Sequence, residues 1–257
     1  MDKNLDGKIA LVTGSGRGIG RAIAVKLAQS GATIIVNFSR NRSQAEETAK
    51  IINQFGQEAL IIKANIAKED EIDSMFDHIK ENYGKLDILI NNAASGFNRP
   101  LMEQKTTGWD YTMQVNLRAA MLCSQKAVPL MEKAGKGCII NISSPGSSRV
   151  LPDYIAVGAS KAGLESLTRY MAVELAPKNI HVNAVSPGVV ETEALKHFSI
   201  MSDKSIIERT INNTPAGRLV TPEDVAGVVA FLCSENADMI CGQVLVLDGG
   251  FTLITPQ

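Results

Sequence analysis

The chain has 257 residues, 45% apolar and 21% charged, which suits one α/β domain with a continuous core and leaves two domains undersized. A net charge of −1, with both signs mixed along the chain, argues against a nucleic-acid binder and against a polybasic membrane anchor. No run approaches the roughly 18 apolar residues of a spanning helix. The start, Met1-Asp2-Lys3-Asn4-Leu5-Asp6, lacks the basic and apolar regions of a secretory signal, so the cytoplasm is the expected compartment. Cys123, Cys138, Cys233 and Cys241 form no Cys-x-x-Cys pair, and His78, His181 and His197 are dispersed. Reduced thiols and no metal site are expected.

Short β-rich runs alternate with longer stretches of helical period, the pattern of a doubly wound parallel sheet with helices on both faces. Strands are predicted near Ile9–Thr13, Thr33–Asn37, Ala59–Ile62, Ile88–Asn91, Cys138–Ile142, His181–Ser186 and Val244–Leu247. Helices are predicted to start near Ile19, Ser43, Glu69, Trp109, Tyr154 and Pro222, the last with Thr221 as N-cap and Pro222 at its first position. No repeat or linker divides residues 1–257, so a single domain is expected. The stretch 187–214 has no clear place in the sheet. Loops of that length in compact domains are usually functional lids, and it is assigned to covering the substrate.

After the first strand comes Thr13-Gly14-Ser15-Gly16-Arg17-Gly18-Ile19-Gly20, opening directly into helical pattern. Glycines there let the backbone turn sharply and approach a pyrophosphate, which then lies against the free amides of the helix N-terminus. This is the dinucleotide-binding, or Rossmann, arrangement. An NAD-preferring site generally ends its second strand with an acid for the ribose 2′-hydroxyl. This chain instead reads Val36-Asn37-Phe38-Ser39-Arg40-Asn41-Arg42, so Arg40, Arg42 or Arg17 would attract a 2′-phosphate, and NADPH is the expected cofactor. The competing reading of these arginines is a solvated surface cluster.

With Asn91-Asn92-Ala93-Ala94 after the fourth strand, Asn116 in the next helix, Ser143-Ser144 after the fifth strand and Pro187-Gly188-Val189-Val190-Glu191-Thr192 after the sixth, the chain resembles the short-chain dehydrogenase/reductase family along essentially its whole length. The resemblance implies that Asn92 borders the adenosine half, that Asn65 and Ile66 lie beside the adenine, and that Pro187, Gly188, Val190 and Thr192 hold the nicotinamide amide. It implies that Lys161 holds the nicotinamide ribose and that Asn116 helps order a proton relay to it. A homotetramer is implied as well.

Keto-reductases of that family place a tyrosine four residues before the lysine, and here that position is Val157, which cannot donate a proton. The available phenol is Tyr154, seven residues before Lys161. In conjugate reduction of an enoyl thioester, the hydride-accepting carbon and the oxygen that gains charge are further apart than in a ketone. Moving the phenol three residues along a helix shifts it by up to roughly 4.5 Å, a displacement of the size such a reaction would need. The segment from Ser143 to Glu165, together with Asn91 to Gly96, Glu193 to Phe198, Asn213 to Arg218 and Ala237 to Ile240, is similar to enoyl-acyl-carrier-protein reductases of the NADPH-dependent type III group.

The expectation is therefore an oxidoreductase that saturates a trans-2-enoyl thioester on acyl carrier protein in fatty-acid synthesis. Tyr154 would be acid or oxyanion partner, made more acidic by Lys161, with Ser144 supporting the substrate oxygen. Phe97, Met102, Leu195, Phe198 and Ile200 are candidates for lining an acyl pocket. The alternatives are a 3-oxoacyl thioester (carbonyl) reductase of the same family and an NADPH-binding protein without turnover.

Overall fold

The computed structural model describes residues 4–192 and 204–254. Seven parallel strands, β1 (Ile9–Val12), β2 (Thr33–Phe38), β3 (Ala59–Lys63), β4 (Ile88–Asn91), β5 (Gly137–Ile142), β6 (Ile180–Pro187) and β7 (Val244–Leu247), form one sheet in the order β3-β2-β1-β4-β5-β6-β7. β1 to β6 are rich in Ile, Val and Leu because a parallel sheet covered on both faces exposes neither side of its strands. Period-two alternation sends Ala10 and Val12 to one face and Ile9 and Leu11 to the other. The first face packs with Ile34, Val36, Ile140 and Ile142 against Ile23 and Leu27 of α1 (Gly18–Gln29) and Val225 and Val229 of α8 (Pro222–Leu232). The second packs with Leu89 and Ile139 against α3 (Glu69–Tyr83) and α5 (Ala119–Ala134), through Ile72, Met75, Cys123 and Met131. Each such side chain taken from water contributes about 1.5–3 kcal/mol.

α8 begins as its sequence predicts. Thr221 Oγ1 accepts from the Asp224 N–H at 3.2 Å and Asp224 Oδ2 accepts from the Thr221 N–H at 2.8 Å, a reciprocal capping box. α2 (Arg42–Asn53) and α6 (Ile155–Leu175) start within a residue of their expected positions.

Two regions differ from expectation. The single helix predicted near Trp109 is instead α4 (Thr106–Met113), a π-helical turn over Gln114–Arg118, and then α5. Apolar periodicity continues through such a turn and conceals it, although the widened coil reorients Asn116. Part of the stretch assigned to a lid is regular: β6 extends through Pro187, Val190 bridges Val220, and α7 covers Lys204–Asn212. The remainder of that lid, residues 193–203 with Leu195, Phe198 and Ile200, lies outside the described residues.

The strand order places β1 beside β4, where successive crossovers turn to opposite sides of the sheet. The glycine turn, Asn92, Ser144 and Pro187 all lie at or just beyond the carboxyl ends of their strands, where open parallel sheets bind ligands. Among the described residues no helix is long and apolar enough to cross a membrane.

Candidate active site

The glycine turn is built for close approach. Gly14 and Gly18 adopt φ of 64° and 54°, which glycine enters without a Cβ penalty. A Cβ on Gly20 would lie 2.5 Å from Asn92 Nδ2 and 2.6 Å from the Gly14 carbonyl. Asn92 holds the turn by donating through Nδ2 to the Thr13 carbonyl at 2.8 Å, and Asn37 Oδ1 accepts from the Gly14 N–H at 3.1 Å. Ser15 is fully buried, its hydroxyl donating to Val12 O and its N–H to Asn37 O, so it braces the turn and has no donor left for a phosphate.

At the start of α1 the N-cap, Arg17, contributes no side-chain capping bond, and the first turn, which includes Ile19, carries no acid. That leaves amide donors and the positive end of the helix dipole for an anion, so these residues fit a pyrophosphate. Ser39, Arg40, Arg42 and Arg17 are all exposed beyond the ends of β2 and β1. Arg42 already pairs with Glu46 at 2.8 Å, which leaves Arg40 and Arg17 as the less committed cations. Ile66 is buried, and Asn65 uses its amide oxygen locally, accepting from the Ala67 N–H at 3.1 Å.

Pro187 ends β6, and Gly188 and Val190 lead away from it, Val190 bridging Val220. The Gly188 N–H donates to Leu247 O at 2.8 Å, and a Cβ there would stand 3.0 Å from Asp248 Cβ. Thr192 returns to the glycine turn, its Cγ2 3.6 Å from where a Gly18 Cβ would be. The segments expected to hold the pyrophosphate and the nicotinamide amide thus come together.

Lys161 is buried and donates through Nζ to the Ile142 carbonyl at 2.6 Å. Burial lowers its pKa to about 8, partly offset by the charge of Glu165 one turn further along α6. Tyr154 stands outside α6 as its N-cap, with φ −98° and ψ 16°. Its ring lies over Gly146, where a Cβ would come within 2.6 Å of Tyr154 Cδ1, and its hydroxyl is 3.4 Å from Ser144 Oγ. Burial pushes the phenol pKa up and the Ser144 hydrogen bond opposes it. With its pKa raised by burial, Tyr154 stands as a protonated donor.

Asn116, buried in the π-helical turn, accepts from the Ser95 N–H at 2.8 Å and donates to Ser95 O at 2.9 Å and Ser160 Oγ at 3.0 Å. It ties the loop after β4 to α6 next to Lys161. Sequence reasoning missed several supports of this arrangement. Arg21 clamps Gly16 O at 2.6 Å, Asn141 joins Asn91 to Thr168, and Ser143 donates to Glu165 at 2.5 Å. Their polarity at buried or half-buried positions was the available signal, because buried polar groups need partners.

The family model described as Enoyl-(Acyl carrier protein) reductase matches residues 14–252. The chain belongs to the short-chain dehydrogenase/reductase family. Among relatives within it, the 3-oxoacyl-[acyl-carrier-protein] reductase FabG of Aquifex aeolicus is 37% identical over 250 residues, covering 97% of this chain and 99% of that one. The 1-cyclohexenylcarbonyl-CoA reductase of Streptomyces collinus is 34% identical over 249 residues, covering 97% and 88%. The crystal structure of 3-ketoacyl-(acyl-carrier-protein) reductase from Brucella melitensis complexed with NADH superposes with a TM-score of 0.88 at 34% identity, covering 96% of this chain and 99% of that one.

This short-chain dehydrogenase/reductase is accordingly an oxidoreductase. The expectation of conjugate reduction of an enoyl thioester is corrected: 3-oxoacyl reductases from several bacteria match it over nearly their full length. The geometry supplies the reason. Tyr154 is displaced along the backbone to the N-cap of α6, but its ring folds back over Gly146 and brings the hydroxyl within 3.4 Å of Ser144 Oγ, so the helix rise alone does not set where the phenol acts.

Proposed function

We propose that this protein is an NADPH-dependent carbonyl reductase acting on a 3-oxoacyl thioester carried on acyl carrier protein. The observation that carries the proposal is the convergence of Tyr154 Oη and Ser144 Oγ, 3.4 Å apart, at the end of β5. Two hydroxyl donors so close suit one substrate oxygen, which is what a carbonyl presents: the oxygen that gains charge is bonded to the carbon that is reduced. A bound nicotinamide supplies the hydride. Ser144 orients the carbonyl oxygen, Tyr154 delivers the proton to it, and Lys161 holds the ribose and stabilises the phenolate left behind. Asn116 keeps Ser95 and Ser160 in place on either side of that relay.

The reading of the cofactor as NADPH rests on Arg40 and Arg17 and on the absence of an acid after β2. The cofactor groups otherwise assigned are the amides of Gly18, Ile19 and Gly20, with Gly14 giving the close turn, Asn65, Ile66 and Asn92 toward the adenosine and Pro187, Gly188, Val190 and Thr192 toward the nicotinamide. Residues 187–214 are proposed to close over the acyl chain. The experiment is NADPH oxidation by the purified protein with an acetoacetyl thioester against a crotonyl thioester. Turnover of the acetoacetyl compound is expected, and its absence sinks the proposal.

A homotetramer is part of the same reading. Support comes from the exposed Tyr170 and Val173 on α6 and from Phe231 and Val246 on α8 and the edge strand β7, apolar groups suited to burial between subunits. Sedimentation at micromolar concentration should show four subunits, and a monomer refutes this part.

A further inference from the structure

Tyr154 reaches Ser144 through an unusual corner. In Leu151-Pro152-Asp153-Tyr154 the Tyr154 N–H donates to the Leu151 carbonyl at 3.3 Å, and Asp153 has φ 59°. An i to i+3 bond with proline at the second position and positive φ at the third has the form of a type II turn, whose third position favours glycine or asparagine. Asp153 and Asn179 are the non-glycine residues of positive φ among the described residues. The Asp153 carbonyl is in turn fixed by the Arg99 N–H at 2.6 Å. Arg99 lies in the loop after β4, where Gln104 Nε2 donates to Arg99 O at 2.6 Å and Ser95 is held by Asn116. The corner is therefore clamped from a segment already braced against α6. Directly after it the chain enters α6, with the Gly158 N–H on Tyr154 O at 2.7 Å.

We propose that Asp153 is a positioning residue for the reduction. Its left-handed backbone, locked by the Arg99 N–H, aims the Tyr154 phenol at Ser144 and does the work that helix register does when the tyrosine stands at position 157. The inference rests on the reading of Tyr154 as the acid. The Asp153 carboxylate has no part in it, since the side chain is exposed and what matters is the conformation the residue accepts.

The test compares Asp153→Val, Asp153→Asn and Asp153→Gly, each with intact Tyr154, and Asp153→Val again in a Tyr154→Phe background. A β-branched residue disfavours the left-handed region by an amount that implies about a five- to thirtyfold loss. The expected result is a fall of that size in kcat for Asp153→Val, with an unchanged KM and Kd for NADPH. Activity should return toward the wild-type level in Asp153→Asn and Asp153→Gly. In the Tyr154→Phe background, Asp153→Val should change kcat little further, because its effect passes through the phenol. Wild-type kcat in Asp153→Val overturns the proposal, and so does an equal loss in both backgrounds, which would mark a general structural role. Full activity of Tyr154→Phe alone overturns the acid assignment itself, and the Asp153 inference with it.

Discussion

Tyr154 Oη and Ser144 Oγ lie 3.4 Å apart, ten residues apart in the chain, with the tyrosine at the mouth of α6 and the serine just beyond β5. Under the proposed carbonyl reduction both groups address one oxygen, so their removal should affect the chemical step and leave cofactor binding alone. Tyr154→Phe is expected to reduce kcat by about 10² to 10⁴, and Ser144→Ala by about 10² to 10³. NADPH titration by fluorescence should give wild-type affinity for both, and a large rise in Kd would place these groups with the cofactor instead.

Lys161 should govern the alkaline limb of the pH profile. Its pKa is lowered to about 8 by burial, so the ammonium is present below that pH and disappears as pH rises through it, whereas the Tyr154 phenol is pushed above its ordinary value of 10.0. kcat/KM is therefore expected to fall above about pH 8 in the free enzyme, by tenfold per pH unit once the lysine is neutral. A profile flat to pH 10 assigns the limb to the phenol.

Cofactor choice should depend more on Arg40 than on Arg42, because Arg42 is engaged with Glu46 at 2.8 Å. A charge-assisted contact to the 2′-phosphate contributes about 1.5–3 kcal/mol. Arg40→Ala is thus expected to raise the KM for NADPH at least roughly tenfold with little change for NADH. Equal kinetics of the wild type with both cofactors rules out the NADPH reading.

Gly20→Ala tests the backbone cradle. The added Cβ meets the Gly14 carbonyl at 2.6 Å and Ser15 Cα at 3.0 Å, both main-chain atoms that cannot rotate away. Overpacking of this kind costs about 1–3 kcal/mol, so the midpoint of denaturant unfolding should drop and the KM for NADPH should rise together. An unchanged midpoint with unchanged KM would show that the turn relaxes freely.

Local patterning in the sequence was sufficient for the seven strands, for α1, α2, α3, α6 and α8, and for the glycine turn, the start of α8 and the family, because alternation, caps and turns are written in neighbouring residues. That position 157 carries a valine and no phenol could also be read from spacing, whereas its burial against Gly96 could not. Where the Tyr154 hydroxyl points could not, because helix rise fixes the backbone displacement and not the direction of the ring. The ring lies over Gly146, which has no side chain there, and follows the Asp153 corner, whose carbonyl accepts from the Arg99 N–H of another loop. Lys161 behaves likewise: burial beneath β5 lowers its pKa, and only the packed structure supplies that burial.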